Sequence, residues 1–140
     1  MIDIRGKSAL VTGANQGLGH AFAEALLEAG AGRIYAGARD PSTVKDPRFT
    51  PVRLDVTKAQ DVAAAAAACG GVQIIINNAG AMLATPVLAE SSEDALRREM
   101  EVNVFGMRAM KSPELVKDNQ SDPPYRIVRT RHKRAGDAYE

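Results

Sequence analysis

The sequence predicts an α/β fold built on a doubly wound, mainly parallel sheet. Short apolar runs alternate with helix-periodic segments along the first 110 residues, the pattern of successive β–α–β units. The first junction between them is rich in glycine, as a tight strand-to-helix turn requires. The composition, 45% hydrophobic and 25% charged residues in a chain of 140, is that of one ordinary globular domain.

Four strands are expected, each a short apolar run bounded by turn residues. They lie near Ser8 to Val11, Arg33 to Ala38, Pro51 to Asp55 and Val72 to Asn77. Arg126-Ile127-Val128 lies where a fifth strand would begin. We nevertheless expect the sheet to be truncated after about four strands, because the sequence changes character beyond residue 110.

Two helices are expected between these strands, because apolar residues recur there at helical spacing. The first carries an apolar stripe from Leu18 to Leu26 and should stop at Gly30, a typical C-terminal residue. The second is the alanine-rich segment Lys58 to Cys69, for which Thr57 is the expected capping residue.

A third helix is expected from Ser91 to about Met110. Ser91 and Asp94 have the spacing of a capping pair at its start. Its apolar stripe consists of Leu96, Met100, Val104 and Met107.

The glycine-rich stretch Thr12-Gly13-Ala14-Asn15-Gln16-Gly17-Leu18-Gly19 has the properties of an anion site. Gly13 can adopt a backbone conformation closed to other residues, while Gly17 and Gly19 lack a Cβ that would keep a phosphate or a strand away. The helix that follows directs unpaired N–H groups and the positive end of its dipole at the turn. A pyrophosphate fits this description, although a turn without a ligand is the alternative.

The spacing Gly-x3-Gly-x-Gly after Thr12 resembles the loop of the short-chain dehydrogenase/reductase family. A second match is Asn77-Asn78-Ala79-Gly80, which is similar to the family's Asn-Asn-Ala-Gly, and a third is Asn103-Val104-Phe105-Gly106. The resemblance covers about residues 5–110 and implies a Rossmann-type fold that binds a nicotinamide dinucleotide.

This resemblance assigns cofactor contacts to residues from four parts of the chain. Asp55 and Val56 match the pair that contacts the adenine ring, and the small residues after Asn78 let a ribose approach the backbone. The expected cofactor-binding residues are Thr12, Gly13, Asn15, Gln16, Gly17, Leu18, Gly19, Arg39, Asp55, Val56, Asn78, Ala79 and Gly80.

The end of the second strand bears on the type of cofactor. An acidic residue there accepts from a free ribose 2′-hydroxyl, whereas an arginine beyond it favours a 2′-phosphate. By alignment to the family, Ala38 occupies the place of the acid and Arg39 that of the base, so NADP(H) is favoured over NAD(H). Arg39 as a solvated loop charge is the alternative, and Gln16 stands where some NADP-preferring relatives have a basic residue.

Asn103 is the one catalytic-type residue that the resemblance transfers, since the family asparagine kinks its helix and holds a water of the proton relay. The family's catalytic serine and Tyr-x3-Lys pair have no counterpart. Tyr35 and Tyr125 are each followed four residues later by arginine, and Tyr139 stands at the end of the sequence. Arginine is a poor substitute for the lysine, because its charge is fixed and its shape differs.

The sequence therefore divides into a dinucleotide-binding part, 1–110, and a divergent basic tail, 111–140, that we expect to be poorly ordered. One hypothesis is an NADP(H)-dependent oxidoreductase that interconverts a carbonyl and an alcohol, incomplete as this polypeptide. The alternative is a non-catalytic nucleotide-binding fragment that arose by truncation or a frameshift.

The composition of the chain limits the kinds of binding partner and the cellular location that we expect. The net charge of +1 makes nucleic acid an unlikely partner, no apolar run is long enough to span a membrane, and the start of the chain has no signal-peptide pattern, so a cytoplasmic protein is expected. With one cysteine and no Cys/His cluster, no metal site is predicted. The expected partners are a small carbonyl or alcohol substrate and a second copy of the chain, bound through the helix at 91–110 as the resemblance implies.

Overall fold

The computed structural model describes residues 3–70, 72–86, 88–111, 115 and 127–129. These residues form one sheet of five parallel strands. The strands are β1 (Ser8–Thr12), β2 (Arg33–Ala38), β3 (Thr50–Arg53), β4 (Ile74–Asn77) and β5 (Ile127–Arg129). Their order is β3-β2-β1-β4-β5, which reverses direction between β1 and β4. The predicted Rossmann-type α/β fold is confirmed.

The helices α1 (Gly17–Glu28), α2 (Ala59–Cys69) and α3 (Ser92–Met100) connect these strands. A 3₁₀ turn, Pro41–Thr43, follows β2. After α3 the chain continues through a π-helical turn, Glu101–Gly106, into α4 (Met107–Ala109). No helix among the described residues combines the length and the apolar composition that crossing a bilayer requires.

β5 adds one short strand to the four that were predicted. Its residues pair with Ile75, Ile76 and Asn77 of β4, at the place where Ile127 and Val128 had suggested a strand. Apart from Lys111, Leu115 and β5, the segment 111–140 lies outside the described residues. The expectation that this segment is poorly ordered therefore concerns residues that the structure does not describe.

The predicted stop at Gly30 is confirmed. Gly30 has a φ of 93°, its N–H bonds to the Leu27 carbonyl, and the Ala31 N–H bonds to the Leu26 carbonyl, both at 3.0 Å. This is the Schellman pattern, which satisfies the last carbonyls of a helix and favours glycine.

Both predicted capping interactions are wrong. The N-cap of α2 is Lys58, which makes no side-chain capping bond, and Thr57 lies one residue before it with its hydroxyl donating to Asp55 at 2.7 Å. Ser91 is the N-cap of α3, but its φ of −82° and ψ of 1° lie outside the extended region of capping residues, and its side chain caps no N–H.

Two strand boundaries also differ from the prediction by two residues, and two others by one residue. β3 ends at Arg53 rather than Asp55, because the Asp55 N–H is bound by the carboxylate of Asp61 at 3.0 Å. β4 begins at Ile74 rather than Val72, because the Ser8 N–H bonds to the side chain of Gln73 at 2.9 Å instead of to a strand backbone.

Alternate residues of the central strands enter two cores on opposite faces of the sheet. Leu10 and Ile75 pack with α2, whereas Val11 and Ile76 pack on the side of α1. Because β1 and β2 are buried on both faces, their sequences are continuous apolar runs and do not alternate between apolar and polar residues.

The substitution Ile75→Ala should lower the free energy of unfolding by about 2–5 kcal/mol, because it opens a cavity in a close-packed core. Ile75 is 2% exposed, whereas Leu88, which serves as the control, is 99% exposed. Leu88→Ala should change stability by less than about 0.5 kcal/mol. Chemical denaturation followed by circular dichroism measures both, and equal losses would contradict the packing described.

Candidate functional site

The glycine loop between β1 and α1 has the conformation that its sequence predicts. Gly13 adopts a φ of 68°, and a Cβ on Gly19 would lie 2.1 Å from the Gly13 carbonyl oxygen, which no side chain tolerates. Gly17 has a φ of 57°, and a Cβ there would meet no atom of the described residues within 4 Å. The loop is therefore packed tightly on its inner side and open on its outer side.

The N-terminus of α1 lies directly behind this loop. Gln16 is its N-cap and makes no side-chain capping bond, and its first turn contains no acidic residue. The unpaired N–H groups and the helix dipole together favour an anion over the open side of the loop.

Thr12 and Asn78 join the ends of β1 and β4. The Thr12 hydroxyl accepts from the N–H groups of Asn78 at 3.0 Å and Ala79 at 2.9 Å, and donates to the Ile76 carbonyl at 3.4 Å. The Asn78 amide donates to the carbonyls of Thr12 at 3.1 Å and Gly13 at 3.3 Å. The glycine loop that begins at Thr12 and the turn that contains Asn78 are therefore joined by hydrogen bonds, although they are far apart in the sequence.

A cavity of about 610 Å³ extends from this junction over the ends of β1, β2 and β3. Its size is in the usual range for small-molecule and cofactor sites. Of the residues predicted to bind a cofactor, all but Thr12 line it, namely Gly13, Asn15, Gln16, Gly17, Leu18, Gly19, Arg39, Asp55, Val56, Asn78, Ala79 and Gly80. Thr12, 1% exposed, lines a smaller neighbouring cavity instead.

Arg39 and Asp55 supply opposite charges at one end of this cavity. Arg39 is exposed, and within the part of the chain that the structure describes, no hydrogen bond or ion pair engages its guanidinium. Burial alone would raise the pKa of the Asp55 carboxyl. Hydrogen bonds from Thr57 and the charges of Lys58 and Arg39 outweigh it and lower that pKa, so Asp55 is ionised at neutral pH.

A smaller cavity of about 340 Å³ adjoins the first over the end of β4. Asn103, in the π-helical turn, lines it together with Glu99, Met82 and Ala81. The Asn103 amide donates to the Ala81 carbonyl at 2.8 Å and accepts from the Ala81 N–H at 2.9 Å. Asn103 therefore holds the loop after β4 with both ends of its amide.

Sequence reasoning missed several residues of these cavities. Glu99 stands one helical turn before Asn103, a spacing that could have indicated a shared face. Thr43 lines the larger cavity from the 3₁₀ turn, and no sequence signal indicates this. Asn77, the first amide of its motif, has a buried side chain whose oxygen and nitrogen find no partner among the described residues.

Comparison with known proteins gives a consistent result. The profile of the family described as short chain dehydrogenase matches residues 7–119. The short chain dehydrogenase tazN of Aspergillus terreus is 34% identical over 120 residues, which cover 76% of this chain and 26% of that protein. D-erythrulose reductase of Gallus gallus is 35% identical over 107 residues, which cover 73% of this chain and 43% of that protein.

A solved structure is similar in both sequence and fold. It is a short chain dehydrogenase from Burkholderia cenocepacia J2315 in complex with NADP, 45% identical with a TM-score of 0.73, and the match covers 78% of this chain and 47% of that one. The chain thus spans between about a quarter and a half of the length of these relatives. With its fold, its glycine loop and a family match over most of its length, the chain belongs to the short chain dehydrogenase family.

Proposed function

We propose that this chain forms the NADP(H)-binding part of an oxidoreductase that interconverts a carbonyl and an alcohol in a small-molecule substrate. The observation that carries the proposal is the open glycine turn at the uncapped N-terminus of α1, which faces a cavity of dinucleotide size. The family match and the NADP complex of the similar Burkholderia protein support it.

The residues present fit such a cofactor. The glycine loop offers N–H groups to a pyrophosphate. Asp55 has Oδ1 engaged by Thr57, while its Oδ2, paired with the Lys58 ammonium at 3.8 Å, can still accept from an adenine amino group.

Arg39 would pair with a ribose 2′-phosphate, because Ala38 before it brings no carboxylate. The carboxylate of Asp40 after it, which accepts from the Ser42 N–H, partly offsets its charge. When bound, the nicotinamide ring supplies the hydride donor or acceptor.

The same proposal divides the chain into two parts. Residues 1–110 bind the dinucleotide, and residues 111–140 form a divergent basic segment. We also propose that the protein is cytoplasmic and that its partner is a small carbonyl or alcohol compound rather than a nucleic acid. Support for the location comes from the single cysteine, Cys69, which excludes an internal disulfide and is buried.

A second candidate function is a nucleotide-binding fragment without catalysis, favoured by the absence of a Tyr-x3-Lys pair from these 140 residues. Sequencing the DNA downstream of the Met110 codon and translating all three frames separates the candidates. A serine and a Tyr-x3-Lys in another frame would establish a frameshift, whereas their absence from every frame would count against one.

The chain should bind NADPH more tightly than NADH. Arg39→Ala should reduce this preference by about 1–3 kcal/mol, the loss of one charge-assisted contact. Calorimetric or fluorescence titration measures both affinities, and Arg98→Ala, an exposed arginine outside both cavities, is the matched control. Equal affinities of the unmodified chain for the two cofactors would refute the assignment to Arg39.

The 140-residue chain should oxidise no NADPH above background with simple carbonyl substrates, because no tyrosine in it has a lysine four residues later. Absorbance at the nicotinamide band follows the reaction, with a family member that has the pair as the positive control. Turnover that copurifies with the chain would show that another group delivers the proton.

We also propose that the helix at 91–110 associates with a second copy. Its apolar residues Leu96, Met100, Val104 and Phe105 are exposed by 58%, 41%, 39% and 50%. An exposed patch of this kind favours association, so the isolated chain should be marginally stable and oligomerise.

Leu96→Glu should shift the chain toward the monomer, because it places a charge within the apolar patch. Arg98→Glu, two residues along the same helix and outside that stripe, is the control. Size-exclusion chromatography with light scattering measures the mass. A monodisperse monomer in the unmodified chain would contradict the proposal.

A further inference from the structure

We propose that Glu99 is a positioning residue that holds the loop Ala81–Leu83 against the nicotinamide half of the dinucleotide site. The inference rests on the proposed function, since it takes the smaller cavity as the place of that half. Glu99 itself need not touch the cofactor.

Glu99 and Asn103 bind the loop from one face of their helix. A carboxylate oxygen of Glu99 accepts from the Leu83 N–H at 2.6 Å, and Asn103, one turn later, binds both backbone groups of Ala81. Glu99 is half-buried, and its carboxylate makes this a charge-assisted hydrogen bond, which is stronger than one between neutral groups. The loop is thus fixed at two points two residues apart.

Among the described residues, few other contacts hold this loop. Met82 and Leu83 are 80% and 47% exposed, so burial of their side chains contributes little to its position. Ala84, next in the chain, has a φ of 49°, in the left-handed region that residues with a Cβ rarely adopt. Because the loop ends in an unfavourable backbone conformation, its hydrogen bonds to Glu99 and Asn103 must offset that cost.

The topology assigns the loop to one half of the cofactor. Dinucleotides lie across the crevice where the strand order reverses, here between β1 and β4. Arg39 and Asp55 mark the adenosine side over β2 and β3, so the other half lies over the end of β4. The two cavities meet there and share Val56, Asn78, Ala79, Gly80 and Ala81 as lining residues.

The test compares two probes on the full chain, NADPH and its adenosine half 2′,5′-ADP. Glu99→Ala should weaken NADPH binding by roughly tenfold, the loss of a hydrogen bond to a charged group, and leave 2′,5′-ADP binding unchanged. Glu99→Gln should restore most of the affinity, because its amide oxygen can accept from the same N–H. Glu93→Ala is the matched control, since Glu93 pairs only with Arg97 on the exposed side of α3 among the described residues.

The outcomes separate the inference from the proposed function. If the unmodified chain binds neither probe, the proposed function fails. If it binds both and Glu99→Ala binds NADPH equally well, the inference alone is overturned. Equal weakening of both probes would indicate a general loss of structure and also overturn it, as would a Glu99→Gln variant as weak as Glu99→Ala.

Discussion

The hydroxyl of Thr12 is the interaction on which the rest of the site depends. It is buried at the end of the central strand, donates one hydrogen bond and accepts two, and so uses its full capacity. Through it the turn after β4 is fixed to the turn after β1. A buried polar group of this kind stabilises only while every partner stays in place, so it specifies one arrangement of the two loops.

The glycine loop is shaped by the same junction. The Asn78 amide donates to the Gly13 carbonyl, and the backbone of α1 comes close to the same carbonyl at Gly19. A Cβ at Gly19 would be only 2.6 Å from the Asn78 amide nitrogen as well as colliding with Gly13. The inner side of the loop is filled by protein, which leaves the outer side and the N–H groups of α1 for a ligand.

Charge is distributed unevenly along the larger cavity. The helix dipole favours anions over the glycine loop, while the cationic Arg39 and the ionised Asp55 lie together at the other end of the cavity. Arg39 contributes to the lowered pKa of Asp55, so a 2′-phosphate near Arg39 would offset part of that effect. A dinucleotide phosphate, with anionic groups along its middle and an amino group on its adenine, matches this distribution.

Local chemistry explains what the sequence by itself determined about this protein. The alternation of strands and helices follows from hydrophobic periodicity, and the conformations at Gly13 and Gly30 follow from the freedom of glycine, so neither needed distant partners. Twelve of the thirteen predicted cofactor residues line one cavity, because parallel strands bring their carboxyl ends to the same edge.

Only the tertiary structure decided which partner each polar side chain takes. Ser91 caps no N–H, because its backbone, with a ψ of 1°, does not have the extended conformation in which a side chain reaches the first turn of the helix. The bonds of Glu99 to Leu83 and of Asn103 to Ala81 join residues 16 and 22 positions apart, across a loop with no periodic pattern. Hydrogen bonds between a helix and an irregular loop depend on where both lie in space, and no local pattern in the sequence encodes that.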